Sequence, residues 1–332
     1  MSEPGAFIIS LDFELHWGVF DHTPLNDRSR AYFQRTRALL PPTLDLFARH
    51  GIRATWATVG MLFATDREEL LSVVPTEKPA YTNRRFDPYR LLHEVGADEE
   101  EDPYHYAPSL IARIADTPGQ EIASHTFGHY YCLEAGQTLE SFRADLAAAQ
   151  RMMRLRNLPP ARALVFPRNQ FRPDYFPALR DHGFITYRGN PDQWFWRVRA
   201  GEDTTLRQRG VRLLDNYLPL PATTTLFGPG YDSGDPRNVP ASRFLRPYLP
   251  KIDGYGGQHF KVRRILREMR TAACNGLHYH LWWHPHNLAT DPARNMAALE
   301  AVVHNYSELR ERYGWRSHSM DSFARSPSLP QF

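Results

Sequence analysis

Short β-rich apolar runs alternating with amphipathic stretches mark this 332-residue chain as an α/β protein built on a parallel sheet. Six such strand-then-helix units follow one another, which calls for a barrel or a doubly wound sheet in one domain. The residues able to do chemistry fall at the C-terminal ends of the expected strands, the face on which parallel α/β proteins build their sites. With 42% hydrophobic and 23% charged residues, the chain can bury a substantial core.

The expected strands cover 6–11, 54–59, 121–124, 163–166, 185–187 and 277–283, and helical periodicity covers 30–50, 107–117, 138–157, 173–182, 261–274 and 292–313. Two stretches break the alternation. Residues 66–106 are rich in charge, proline and tyrosine and contain the acidic run ADEEEDPYHY, while 189–258 carry Gly, Pro and aromatic residues without a period. Loops of this length are lids or surface insertions. The expected organisation is one domain over 1–325, with 66–106 inserted in it and the second stretch, bearing Trp194 and Trp196, forming a substrate-side wall.

A formal net charge of +3 is too small for nucleic-acid binding, which needs a concentrated basic stripe. Cys132 and Cys274 are too few for a disulfide framework or a thiolate metal cluster. The opening MSEPGAFIISLDFE shows no basic leader followed by a long apolar segment, so a cytoplasmic protein without membrane insertion is expected.

Four stretches carry chemistry. In SLDFELHWG, Asp12 and Glu14 are two apart, so an extended strand points both carboxylates to one side. Salt bridges to the many arginines would explain them equally well. In SHTFGH, His125 and His129 are four apart just after a strand, a spacing at which two imidazoles reach one metal ion. Such an ion also needs an anionic oxygen, which Asp12 or Glu14 supplies while the other accepts a proton from water.

ALVFPRNQF ends in Arg168, Asn169 and Gln170, and a guanidinium there can grip a carboxylate by both oxygens. GLHYHLWWHPHNL brings His284 to the end of the last strand, where an imidazole can act as general acid. His278 and His280 lie deeper and are expected in the core; His286 stays open, and His16 has no assigned role. Trp17, Trp194, Trp196, Trp282 and Trp283 are expected around the mouth, where indoles suit stacking on sugar faces.

In this order the four stretches resemble the NodB-homology polysaccharide deacetylases, carbohydrate esterase family 4, from residue 7 to about 288. The resemblance implies an irregular (β/α)7 barrel with two long loop insertions. It implies removal of acetyl groups from N-acetylated sugars, or sometimes of O-acetyl groups, with a divalent metal held by Asp-His-His. SHTFGH matches the family's His-Ser/Thr-x-x-His at His125, Thr126 and His129.

The family's adjacent aspartates become Asp12, Phe13 and Glu14, which by order of appearance makes Asp12 the base and Glu14 the metal ligand, with the exchange of the two still open. Arg168 carries over as the residue orienting the base, with a backbone N–H beyond it as oxyanion donor. The closing Leu-x-His becomes Trp282, Trp283 and His284. NPDQW stands for the family's Asp/Trp motif, which puts Trp194, with Trp17, Asn169 and Trp282, on the substrate.

The implied cofactor is zinc by default, with Fe2+, Co2+ or Ni2+ compatible. The implied substrate is an N-acetylated sugar or glycan, an intracellular precursor of a surface polysaccharide. Three other readings use the same residues: an amidohydrolase on a non-sugar amide, a glycosidase with Asp12 and Glu14 as its acid and base, and a sugar-binding relative without turnover.

Overall fold

A computed structural model of the chain describes residues 5–325 apart from 192, 199, 201–204, 219–223, 229–230 and 232–233. It starts with β1 (Ala6–Phe13), an apolar run rich enough in β-branched residues to be buried at all eight positions. Helix α1 (Asp27–His50) begins at Asn26, whose side chain accepts from the Ser29 N–H, and ends at Gly51 with φ 66°.

The chain continues through β2 (Ala54–Thr58), α2 (Arg67–Val73), α3 (Pro108–Asp116), β3 (Glu121–Ser124), α4 (Leu139–Leu155), β4 (Ala163–Leu164) and α5 (Phe176–Asp181). After β5 (Thr186–Tyr187) come α6 (Leu206–Tyr217), β6 (Arg237–Asn238), β7 (Arg243–Phe244), α7 (Pro250–Ile252) and α8 (Gln258–Cys274). The last elements are β8 (Tyr279–Trp283), α9 (Pro285–Leu288), α10 (Pro292–Tyr313), β9 (Arg316–His318) and α11 (Met320–Arg325).

The strands form one parallel sheet in the order β6-β5-β4-β3-β2-β1-β8-β7, with β9 lying along the first three residues of β1. It is a curled (β/α) barrel left open between β6 and β7, and β1 at its middle aligns the ends of β2 and β8. Phe7 at the base of β1 stacks on Tyr279, Tyr306 and Trp315 and is fully buried. Burying a ring of that size contributes about 3 kcal/mol.

All six expected strands are present. The three missed, β6, β7 and β9, are two or three residues long and rich in polar side chains. They are strands by pairing, not by composition. Helix α6 escapes sequence reading because the residues it buries are Gln208, Asp215 and Asn216.

Residues 66–106 form α2 and short 3-10 turns packed on the barrel. Within them Asp102 accepts from the Gly96 N–H at 3.0 Å and pairs with His105 at 2.7 Å. His105 in turn meets His16 at 2.8 Å. This explains the unassigned His16: its other nitrogen donates to the Thr23 carbonyl at 2.9 Å, so the ring clamps the turn after β1 to the 66–106 stretch.

Candidate active site

Strand β1 ends at Phe13, and the chain turns through a 3-10 turn at Leu15–Gly18. Asp12 therefore points from the strand, while Glu14 swings from the residue that caps the turn. A Cβ on Gly18 would lie 1.9 Å from Glu14 Cδ, so only glycine leaves room for the Glu14 side chain. Of the described non-glycine residues with left-handed φ, Leu15, Thr126, His129, Arg168 and Asn169 all stand on the loops after β1, β3 and β4. Conformations of this kind cost about 1–3 kcal/mol each and concentrate where function demands them.

Glu14 Oε2 lies 3.2 Å from His125 Nε2 and 3.1 Å from His129 Nε2, and all three side chains are buried. Their ligand atoms lie within 4.8 Å of one another. The tautomer of His125 follows from its other nitrogen, 2.8 Å from the Val165 carbonyl, to which only an N–H can bond. His125 thus commits Nδ1 to the backbone and turns Nε2 toward the carboxylate, which leaves Nε2 free to serve as a metal ligand.

The charges agree. Burial pushes Glu14 up, but His284, His125 and His129 more than offset it and hold the carboxyl well below its usual range. Burial, above all, pulls His129 below the usual imidazole value. Two imidazoles beside an ionised carboxylate are the donor set a divalent ion takes. The loop between the histidines is held from α4, where Asp145 accepts from the Phe127 N–H at 2.6 Å and the Gly128 N–H at 2.9 Å.

Asp12 meets a different partner. Arg188, fully buried, donates to Asp12 Oδ1 at 2.6 Å and Oδ2 at 2.7 Å, a two-pronged grip. It also donates to Ser10 Oγ at 3.0 Å and Asn169 Oδ1 at 3.0 Å, and its guanidinium sits 4.2 Å from the Trp282 ring centroid. Burial favours the protonated acid, yet Arg188, with His125 and His284, keeps Asp12 below its ordinary pKa.

His284 faces both carboxylates, with Nε2 3.7 Å from Asp12 Oδ2 and 3.6 Å from Glu14 Oε1. Asn287 donates to its Nδ1 at 3.4 Å, which puts the proton of the neutral ring on Nε2, toward the carboxylates. A quarter of the His284 side chain is exposed, against under a twentieth for Asp12 and Glu14. Buried His286 stacks on His284 at 4.9 Å.

The structure thus brings together Asp12, Glu14, His125, His129, His284 and Trp282, but four expected residues stand elsewhere. Arg168 does not touch Asp12; it pairs with Asp21 and lies 4.8 Å over the Tyr131 ring, whose hydroxyl is 3.1 Å from His129 Nδ1. Asn169 holds Arg188. Trp17 is core: it is fully buried and its indole N–H donates to the His105 carbonyl at 2.9 Å. Trp194 is 46% exposed, lies under the Arg207 guanidinium and meets Phe195 edge to face.

The expected oxyanion donors after Arg168 are committed as well, Asn169 N–H to the Phe166 carbonyl and Gln170 N–H to that of Pro167. Sequence reasoning missed Arg188. Its signal was the one used for the other motifs, a charged residue directly after a strand end, here in TYRGN.

The family model for polysaccharide deacetylase matches residues 19–187, half of the chain. That span holds His125, His129 and Arg168, and ends before Arg188 and His284. No curated protein matches the chain.

Among solved structures, a Mycobacterium smegmatis protein assigned as a polysaccharide deacetylase superposes with TM-score 0.60 at 15% identity, covering 100% of this chain and 96% of its own. A Pseudomonas aeruginosa PAO1 protein assigned likewise gives 0.52 at 12% identity, covering 96% and 89%. The allantoinase PuuE gives 0.51 at 13% identity, covering 96% and 88%. At such identities the likeness concerns the fold.

Proposed function

Because the chain belongs to the polysaccharide deacetylase family, we propose that it is a metal-dependent deacetylase that hydrolyses the acetamido group of an N-acetylated sugar. The observation that carries this reading is the division of labour between two carboxylates, Glu14 on two imidazoles and Asp12 in the grip of Arg188. Residues 1–325 are taken as the single catalytic domain, with 66–106 an insertion in it.

Glu14, His125 and His129 would hold the ion. A divalent cation there, zinc by default, supplies Lewis acidity to the acetyl carbonyl and to water. Asp12, kept ionised by Arg188, accepts the proton of the attacking water. Arg188 is satisfied by Ser10 and Asn169, so Asp12 stays oriented through the step. His284, in its protonated form, gives the proton on the nitrogen facing the carboxylates to the leaving sugar amine and is left as the neutral imidazole. Trp282, packed between Arg188 and His284, walls the site.

A glycosidase needs one carboxyl kept protonated, whereas Asp12 and Glu14 are both held below their ordinary values. Two unpaired cysteines suit a reducing compartment, and the proposed substrate is an intracellular, nucleotide- or lipid-linked precursor of a surface polysaccharide.

A panel of N-acetylated sugars and non-sugar amides, assayed for released acetate or amine with and without added metal, tests the reading. Acetate released from a nucleotide-linked N-acetylhexosamine and lost in His125→Ala supports it. Release that survives both a chelator and that substitution overturns it. Turnover of a ureide alone would favour the amidohydrolase activity named for PuuE, and stoichiometric metal without turnover the inactive reading.

A further inference from the structure

Helix α6 presents its faces the wrong way round for a helix on a globular protein. It buries Gln208, Asp215 and Asn216, while Leu206, Leu214 and the following Leu218 are 84%, 52% and 52% exposed. At 3.6 residues per turn, positions 206, 210, 213, 214 and 217 fall on one stripe, which normally faces the core. Here Leu206, Gly210 and Leu214 on that stripe are exposed, and Leu213 and Tyr217 are half-buried.

The inversion is locked from inside. Asp215 pairs with Arg243 at 3.2 Å and Arg264 at 2.9 Å, so rolling the leucines inward would tear out a buried ionic cluster.

The apolar surface continues on both sides. Arg207 lies 5.3 Å over the half-exposed Trp194 ring. At the other end the Tyr217 hydroxyl donates to Asp253 at 3.0 Å, tying α6 to the turn that carries Tyr255, 90% exposed, and to the start of α8 with Phe260, 58% exposed.

Among the described residues of this surface the exposed charge is basic. Arg207, Arg209 and Lys251 are exposed among the apolar residues. The acids of α6, of the turn and of α8 are Asp215, Asp253 and Glu268, and each is paired with Arg243, Arg264 or Lys261.

We infer that this face docks the protein on an anionic phospholipid bilayer. Leucine and aromatic side chains enter the layer between headgroups and acyl chains, and the surrounding arginines meet lipid phosphates. Symmetric self-association would set two basic surfaces against each other, which like-charge repulsion opposes. No helix among the described residues is long and apolar enough to cross a membrane, so the attachment is peripheral. The inference does not depend on the deacetylase reading.

Sedimentation of the full chain with sucrose-loaded vesicles tests it, comparing phosphatidylcholine alone with phosphatidylcholine plus phosphatidylglycerol. Binding to the anionic vesicles is expected to exceed binding to the neutral ones at least about tenfold and to weaken with salt. A Leu206→Ser, Leu214→Ser, Leu218→Ser variant, melting like the wild type with every arginine in place, is expected to lose at least about tenfold, and Arg207→Glu with Arg209→Glu to lose the preference for anionic lipid. No binding to anionic vesicles overturns the inference, as does binding unchanged in the leucine variant. A wild-type dimer that this variant turns monomeric overturns it too, by making the face a contact between copies, and so does saturable binding of an acidic protein with none to vesicles.

Discussion

Replacing Arg188 by alanine separates two accounts of how the proposed base is held. The side chain is 0% exposed and that of Asp12 4%, so the substitution leaves a carboxylate buried without its counter-charge. Breaking such a pair costs about 3–5 kcal/mol. The same loss unbalances Asp12: Arg188 is the main influence opposing burial, so without it burial pushes the carboxyl up toward its protonated form. Losing the work of a general base costs about 10²–10⁴-fold in rate, and an Asp12 pushed toward protonation and freed from its two-pronged grip loses part or all of that.

Arg188→Lys keeps the charge but not the two-pronged geometry and is expected to fall between. Arg168→Ala removes a partly exposed ion pair with Asp21 and the cover over Tyr131, worth about 1–2 kcal/mol, and leaves the Asp12 grip intact. Urea unfolding measures the stability order and acetate release the activity order, each expected to be wild type, Arg168→Ala, Arg188→Ala. The reasoning is refuted if Arg188→Ala unfolds within about 1 kcal/mol of wild type and stays active, or if Arg168→Ala is the more damaging of the two.

Gly18→Ala pushes a methyl into Glu14, so zinc affinity is expected to fall at least about tenfold while the fold persists, measured by competition with a chromophoric chelator. Asp145→Ala strips the acceptor from two buried N–H groups at about 1–3 kcal/mol each, visible as a lowered Tm, and loosens both histidines; an unchanged Tm would contradict the role given to it. Burial pushes the Glu121 carboxyl, ordinarily 4.5, up to about 7. Between those values the folded chain keeps a proton that the unfolded chain gives up, so wild type loses stability as pH rises through that window. Glu121→Gln does not titrate there, and its Tm is expected to gain on wild type from pH ~5 to ~8; a constant difference would be the wrong result.

The cluster of Glu14, His125 and His129 beside Asp12 is legible in the sequence because it depends on short spacings at strand ends, His125 to His129 and Asp12 to Glu14. The residue gripping Asp12 was not. Arg168 and Asn169 both adopt left-handed φ, and off the strand path Arg168 ends on Asp21 while Arg188, one strand further on, takes the carboxylate. Trp17 looked like a sugar platform, but His105, 88 residues away, supplies the carbonyl that holds its indole, a contact no local pattern encodes. The strands β6, β7 and β9 exist because β5, β8 and β1 offer them an edge, which composition does not record.

The central claim, that Glu14 holds the ion and Asp12 moves the proton, rests most directly on metal stoichiometry. Elemental analysis after dialysis against zinc is expected to find one ion per chain in wild type and in Asp12→Ala, and almost none in Glu14→Ala, His125→Ala or His129→Ala. Zinc lost from Asp12→Ala but kept by Glu14→Ala would reverse the two carboxylates, and wild type that retains no zinc would contradict the site itself.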